Sequence, residues 1–280
     1  MEISELIYRI SLTKYVSNKL ILKACHQFIT SQNNVNLTLK YIKENLKNNK
    51  RESFMDKFWK PIEKKQDFIT FFDPIYPDKL RQIYNPPAIL YYAGDLNLLN
   101  QTAIAIIGAR QCSHYTEQII MGLVPVLVKN NLVTVSGLAY GADACCHQET
   151  LKYGGKTIAV IGNSIDFYYP KSNLNLQTRI AQNGLILSEY PAGTSPRRYF
   201  FPQRNRIISG VCDSVVVTEA KKRSGTLITA ELALQENRNV WATPGRIDQS
   251  LSVGCNQLIT EGARPYLSAF DLINEVITRY

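Results

Sequence analysis

No apolar run in this chain approaches the roughly 20 residues that a membrane-spanning helix needs. The N-terminus, Met1-Glu2-Ile3-Ser4-Glu5, is acidic and lacks the basic-then-apolar layout of a secretory signal. A cytoplasmic protein without a membrane partner is therefore expected. The cysteines, Cys25, Cys112, Cys145, Cys146, Cys212 and Cys255, show no CxxC spacing, so free, buried thiols are expected rather than a zinc or redox site. The GxGxxG dinucleotide fingerprint is missing too. Ile107-Gly108-Ala109-Arg110 carries only its first glycine. Gly155-Lys156-Thr157 is not a phosphate-binding P-loop, because Thr150 stands where the leading glycine belongs and the lysine enters a strand. No candidate nucleophile, metal cluster or paired acid accompanies the glycine loops, so no catalytic site, metal or cofactor is expected.

What is present is an ordinary globular composition, 45% hydrophobic and 20% charged over 280 residues, enough for one or two domains with a substantial core. The net charge of +9 is unevenly placed. Residues 1–66 hold 13 Lys/Arg against 6 Asp/Glu, whereas residues 67–280 hold 19 against 17. A second basic cluster lies at 197–223. Such a balance favours a polyanionic partner. For the first 66 residues, added affinity for nucleic acid and a merely solvated helical face are both open.

Up to about residue 60 the apolar residues recur at helical spacing, from Leu6, Ile7 and Ile10 to Ile42 and Leu46, with an Asn-rich break at 33–36. The polar, basic run from Asn45 to Arg51 reads as a loop. Ala88-Ile89-Leu90-Tyr91-Tyr92 reads as a strand stopped at Gly94. Beyond it, apolar runs at 103–107, 132–136, 157–161, 185–188, 214–218 and 239–242 lack polar alternation, as strands covered on both faces do. Helix-length segments at about 115–129, 141–153, 173–182, 203–211 and 226–237 fill the gaps. The pattern predicts an α/β domain with a mainly parallel sheet, whose ligands bind outside the C-terminal strand ends.

The loops at those ends carry the chemistry. Gly108 would let backbone approach a ligand and Arg110 could meet a phosphate; a plain tight turn with a surface arginine fits that loop equally well. Ser136-Gly137-Leu138-Ala139-Tyr140-Gly141 could form an anion-binding concavity. Asp143 and His147 follow, and a helix-start and packing role suits them better than catalysis. In 197–206, Arg197, Arg198, Arg204 and Arg206 are interleaved with Tyr199, Phe200 and Phe201. Arginines can pair with phosphates while rings offer stacking faces, which suits an extended single strand; packing in the core is the other use for those rings. A further basic, glycine-bearing loop runs from Lys221 through Arg223-Ser224-Gly225-Thr226 into a helix.

Taken together these stretches resemble the bacterial DNA-processing protein (DprA, or Smf) family across about residues 67–265. The matching segments are Gly108-Ala109-Arg110, Ser136-Gly137-Leu138-Ala139 through Gly141, Asp143 and His147, then Gly155–Gly162 and Leu187-Ser188-Glu189-Tyr190. They continue in Phe201-Pro202-Gln203-Arg204-Asn205-Arg206, Ser224–Ala230, Pro244-Gly245 and Gly254–Ile259. The resemblance implies an extended Rossmann-like domain, here 61–280, preceded by a small all-helical SAM-like domain, 1–60. It also implies a homodimer that binds single-stranded DNA without catalysis, protects incoming DNA and loads the RecA recombinase onto it during natural transformation. The DNA contacts it implies fall on Arg110, Ser136, Gly137, Phe201, Arg204, Asn205, Arg206, Ser224, Gly225 and Thr226. Leu258 and Ile259 are the implied dimer residues. The chain is expected to lack the C-terminal winged helix of many members. Ala109 stands where serine is common, which removes a hydroxyl and keeps the arginine.

The rival readings are a nucleotide sensor and a LOG-type nucleotide phosphoribohydrolase. The second needs glutamates two or three residues after the loop threonine. Here the nearest acid after Thr226 is Glu231, five residues on, turned away on a helix.

Overall fold

In the computed structural model, which describes residues 1–62 and 66–277, four helices come first: α1 (Ile3–Thr13), α2 (Asn18–Thr30), α3 (Val35–Asn45) and α4 (Asn48–Phe58). Side-chain caps start two of them. Ser17 Oγ accepts Leu20 N–H at 3.4 Å and Asn34 Oδ1 accepts Leu37 N–H at 3.1 Å, satisfying donors that a helix start leaves open. The break before α3 is made by Gln32 and Asn33, with φ of 55° and 63°. One expectation is corrected here. Residues 48–51 form the first turn of α4, not loop, because Phe54 and Phe58, both almost fully buried, anchor that polar helix in the helical core.

The rest of the chain alternates. In order it forms β1 (Phe68–Thr70), α5 (Asp78–Arg81), β2 (Ile89–Gly94), β3 (Ala103–Ile107), α6 (His114–Lys129), β4 (Val133–Ser136) and α7 (Ala142–Lys152). Then come β5 (Thr157–Ile161), α8 (Leu174–Asn183), β6 (Leu185–Ser188), α9 (Phe200–Val211), β7 (Ser214–Val217) and α10 (Gly225–Gln235). The described chain closes with β8 (Asn239–Ala242), α11 (Val253–Thr260), β9 (Arg264–Pro265) and α12 (Ala269–Ile277). All nine strands among the described residues join one sheet in the order β1-β2-β6-β5-β4-β3-β7-β8-β9. From β6 to β9 every pairing is parallel, and the two pairings at the other edge, β6 with β2 and β2 with β1, are antiparallel, so β2 alone is reversed. The mixed α/β class with a mainly parallel sheet is as expected.

Because side chains alternate across a strand, each central strand feeds two cores. Ala105 and Ile107 of β3 pack with Ile207, Ile208, Leu227 and Leu258, from α9, α10 and α11. Ile104 and Ile106 face the other way, toward Ile120, Leu123 and Leu127 of α6 and Leu272 of α12. The edge strand β2 divides its neighbours similarly. Leu90 belongs to the sheet core, while Ile89 and Tyr91 join Leu6, Ile10, Phe28 and Phe54 of the helices. Tyr91 Oη and Ser11 Oγ are 2.5 Å apart, and Tyr8 stacks on Phe68 at 4.4 Å, so polar and aromatic contacts seal that junction.

All six cysteines are free. Cys25, Cys146, Cys212 and Cys255 are buried, and Cys112 and Cys145 are half-buried. Burial pushes the Cys25 and Cys212 thiols up to about 12, which keeps them unreactive near neutral pH. Among the described residues no helix is long and apolar enough to cross a membrane.

Candidate functional site

β3 has β4 on one side and β7 on the other, and the chain leaves β3 and β7 toward opposite faces of the sheet. Such a switch point opens a crevice beyond the strand ends. Here it is a cleft of about 1140 Å³, lined by the loops after β3, β4 and β7, by the start of α9 and by Tyr169.

The loops are locked together by close backbone approach. A Cβ at Gly108 would collide with the Thr218 hydroxyl and the Ala142 methyl, and the Gly108 carbonyl accepts the Thr226 hydroxyl at 3.0 Å. Gly141 caps α7 with φ 71°, and a Cβ there would strike the carbonyls of Ala109 and Arg110. Ala142 N–H donates to the Ala109 carbonyl at 3.2 Å, which ties the β3 and β4 loops into one wall. The third wall is the first turn of α10, where Ser224 is the N-cap and accepts Leu227 N–H at 3.4 Å. Ser224, Gly225 and Thr226 all line the cleft, so the positive end of that helix faces it.

Four cations line the cleft, Arg110, Arg198, Arg204 and Lys221, against one carboxylate, Asp143. Arg110 is exposed, and its guanidinium carbon lies 5.5 Å over the Phe201 ring. Phe201 is half-buried and meets Tyr169 at 5.6 Å between centroids, which gives the cleft an aromatic side. The Phe201 ring fits because residue 162 is glycine, whose Cβ would lie 3.0 Å from it. Asn205 Nδ2 donates to the Gly225 carbonyl at 3.3 Å and so links α9 to α10.

Arg204 is a different kind of residue. Only 5% exposed, it donates to the carbonyls of Gly137 and Val160 and forms the floor of the cleft. Burial lowers its guanidinium to about 10, against the attraction of Asp143. Asp143 is itself buried and accepts Ala139 N–H at 3.2 Å. Burial raises its carboxyl above the ordinary range, opposed first by Arg204. His147 is fully buried four residues on, with Nδ1 2.7 Å from the Thr157 hydroxyl, and burial holds it down at about 3. The pair therefore works in helix-start geometry and packing.

Of the ten positions selected from the sequence, Arg110, Phe201, Arg204, Asn205, Ser224, Gly225 and Thr226 meet in the cleft lining. Ser136, Gly137 and Arg206 lie outside it. Ser136 Oγ is fully buried and donates to the Ile106 carbonyl at 2.7 Å. Gly137 leaves room for the Arg204 guanidinium. Arg206 points to Glu189, both oxygens of which sit 2.6 Å from its Nη2, with each side chain 12% exposed. The arginine expected as a DNA contact is thus half of an enclosed ion pair.

Leu258 also departs from expectation. It is 2% exposed and packs into the sheet core, which leaves only the half-buried Ile259 near the surface of α11. Arg198, Lys221, Tyr140 and Tyr169 enter the lining without having been selected. The basic clusters at 197–206 and 221–223 were the signal for the first two. Glu231 is exposed on α10 and is absent from the lining. No group of three or more His, Cys, Asp or Glu among the described residues is placed to hold a metal.

A family model described as DNA recombination-mediator protein A matches residues 67–277. The chain is 47% identical over 216 residues to DNA processing protein DprA of Streptococcus pneumoniae, covering 75% of each. It is 40% identical to the Bacillus subtilis DprA over 205 residues, 73% of this chain and 69% of the relative. A crystal structure of the Streptococcus pneumoniae protein superposes with a TM-score of 0.88 at 38% identity, over 98% of this chain and 99% of that one. A structure describing the single-stranded DNA binding mode of DNA processing protein A from Helicobacter pylori gives 0.69 at 33% identity, over 77% and 98%. A family match spanning the whole sheet and every wall of the cleft makes this chain a member of the DNA recombination-mediator protein A (DprA) family.

Proposed function

We propose that the protein is a non-catalytic, single-stranded DNA-binding recombination mediator that holds the strand in the cleft at the strand ends. One observation carries this reading: Arg110 rests on Phe201 beside the open first turn of α10. That arrangement offers a cation and helix-end N–H groups to phosphates next to a ring for a base. Arg198 and Lys221 extend the cationic rim, whereas Arg204 forms the floor of the cleft and Arg206 is held outside it by Glu189. The single-stranded DNA binding of the Helicobacter pylori relative supports the same ligand class.

In this reading the chain protects incoming DNA, loads RecA onto it during natural transformation and acts as a cytoplasmic homodimer. Residues 61–280 are the DNA-binding domain and residues 1–60 a SAM-like accessory domain. The test is a fluorescence-anisotropy titration with labelled oligo-dT at several salt concentrations, with duplex and ATP as competitors. Salt-steep binding that neither competitor displaces well is the expected result. Efficient displacement by ATP would assign the cleft to a mononucleotide instead.

A further inference from the structure

A second concave site lies away from the strand ends, where α1 and α4 meet. It has a volume of about 320 Å³ and is lined by Arg9, Leu12, Lys14, Lys57, Phe58, Lys60, Pro61 and Ile62. Arg9 is already committed: Nε bonds Glu5 at 2.8 Å, and Nη1 donates to the carbonyls of Phe58 at 3.3 Å and Lys60 at 3.4 Å. It thereby fixes the end of α4 against α1. Lys14, Lys57 and Lys60 are exposed, and none forms an ion pair with a carboxylate among the described residues.

These lysines converge instead of spreading over the surface. Lys57 Nζ sits 4.5 Å over the Tyr15 ring, and Lys50 Nζ is 6.0 Å from the same ring. Lys14 takes a left-handed backbone at the end of α1, with φ 62°, and reaches across to the Ala192 carbonyl at 3.0 Å. That carries its charge onto the segment between β6 and α9. Partial burial lowers the Lys14 ammonium first, followed by the charge of Lys57; Asp166 opposes and Arg197 reinforces the shift. Asp166 also accepts Gly193 N–H at 3.0 Å, so its charge is shared with the backbone.

The same segment reaches the first cleft. Arg197 and Arg198 are adjacent and exposed; Arg198 lines the cleft, while Arg197 lies in the field of Lys14. Arg197 is propped by the Tyr199 hydroxyl at 2.9 Å and stands 5.8 Å over Phe200. Gathered like charges lacking carboxylate partners raise the energy of the free protein and lower it when a polyanion arrives.

We propose that the lysine groove between α1 and α4 is a second phosphate site, continuous with the strand-end cleft through Arg198 and Arg197. A single strand longer than the cleft then runs on over Lys14, Lys57 and Lys60. The proposal rests on the reading of the cleft as a single-strand site. It gives the helical segment the task of lengthening the footprint.

The test compares oligo-dT of about six nucleotides with one of about twenty, a range bracketing common single-strand site sizes. Full-length wild type is set against the exposed pair Lys57→Gln/Lys60→Gln, with Lys14→Gln as a separate variant because it also holds Ala192. For the pair, affinity for the longer strand falls about tenfold at low salt and the log–log salt slope shallows by about 1.4, two contacts at about 0.7 each. The six-mer binds the pair as tightly as it binds wild type. Equal losses for both lengths, or none for either, would overturn the second site while leaving the cleft intact. Failure of wild type to bind the six-mer at all would overturn the cleft reading, and the extension with it.

Discussion

The guanidinium of Arg204 occupies the space that a side chain on Gly137 would fill. A loop position selected as a DNA contact is thus a socket for a buried cation. Gly137→Ala is expected to displace Arg204 from its two carbonyl partners and cost about 1–3 kcal/mol, as overpacking in a tight interior does. Urea unfolding would measure it. Wild-type stability would mean that the floor of the cleft yields freely.

Arg110 and Arg204 should separate cleanly. Arg204→Leu removes the charge that most offsets the burial of Asp143 and leaves the Gly137 and Val160 carbonyls without their donor, and is expected to cost about 3–5 kcal/mol of stability. Arg110→Ala should leave the midpoint of unfolding unchanged and shallow the salt slope for oligo-dT by about 0.7. If Arg204→Leu folds like wild type and loses one phosphate contact, Arg204 is a ligand and not a support.

Phe201 offers a ring to a base and a perch to Arg110. Phe201→Ala should weaken oligo-dT binding by about 1–3 kcal/mol, whereas Phe201→Tyr retains most of it. Anisotropy at fixed salt distinguishes the two, and equal affinity for all three proteins would remove the stacking role.

His147 sets a pH dependence of stability. Burial, with the Arg204 charge second, holds the folded imidazole at about 3, below the roughly 6.5 of an unfolded chain. Between those values the unfolded chain binds a proton that the folded one refuses. The stability this residue leaves intact above pH about 6.5 is therefore lost as pH falls, by about 2 kcal/mol at pH 5, and the loss levels off near pH 3. Denaturant titrations of wild type and His147→Gln at pH 7 and pH 5 isolate the term. A constant difference between the two proteins would show that His147 protonates in place.

The strands were legible because runs such as Ala103–Ile107 and Ile158–Ile161 are uninterrupted, apolar and buried on both faces. The cleft was legible as loops at their ends. The start of α4 was not, since Asn48-Asn49-Lys50-Arg51 shows no apolar period and is helical because of Phe54 and Phe58 further on. Nor was the inward turn of the arginines. Arg204 bonds the carbonyl of residue 137 and Arg206 the carboxylate of residue 189, and neither partner lies near it along the chain. An arginine in a basic loop reads as a phosphate ligand until the fold supplies an interior acceptor. Leu258 misled for the converse reason, because an apolar residue near the end of α11 serves a core or a surface with the same chemistry.

Strand β2 also bears on how the molecule comes apart. Ile89 and Tyr91 are walls of the helical core, while Leu90 between them is a wall of the sheet core. Removing the four helices would strip one side of that strand bare and expose Ala88, Ile89 and Tyr91 together. The helices and the sheet thus share the edge strands β2 and β1, and heating should melt them in one shared transition instead of shedding the helices first.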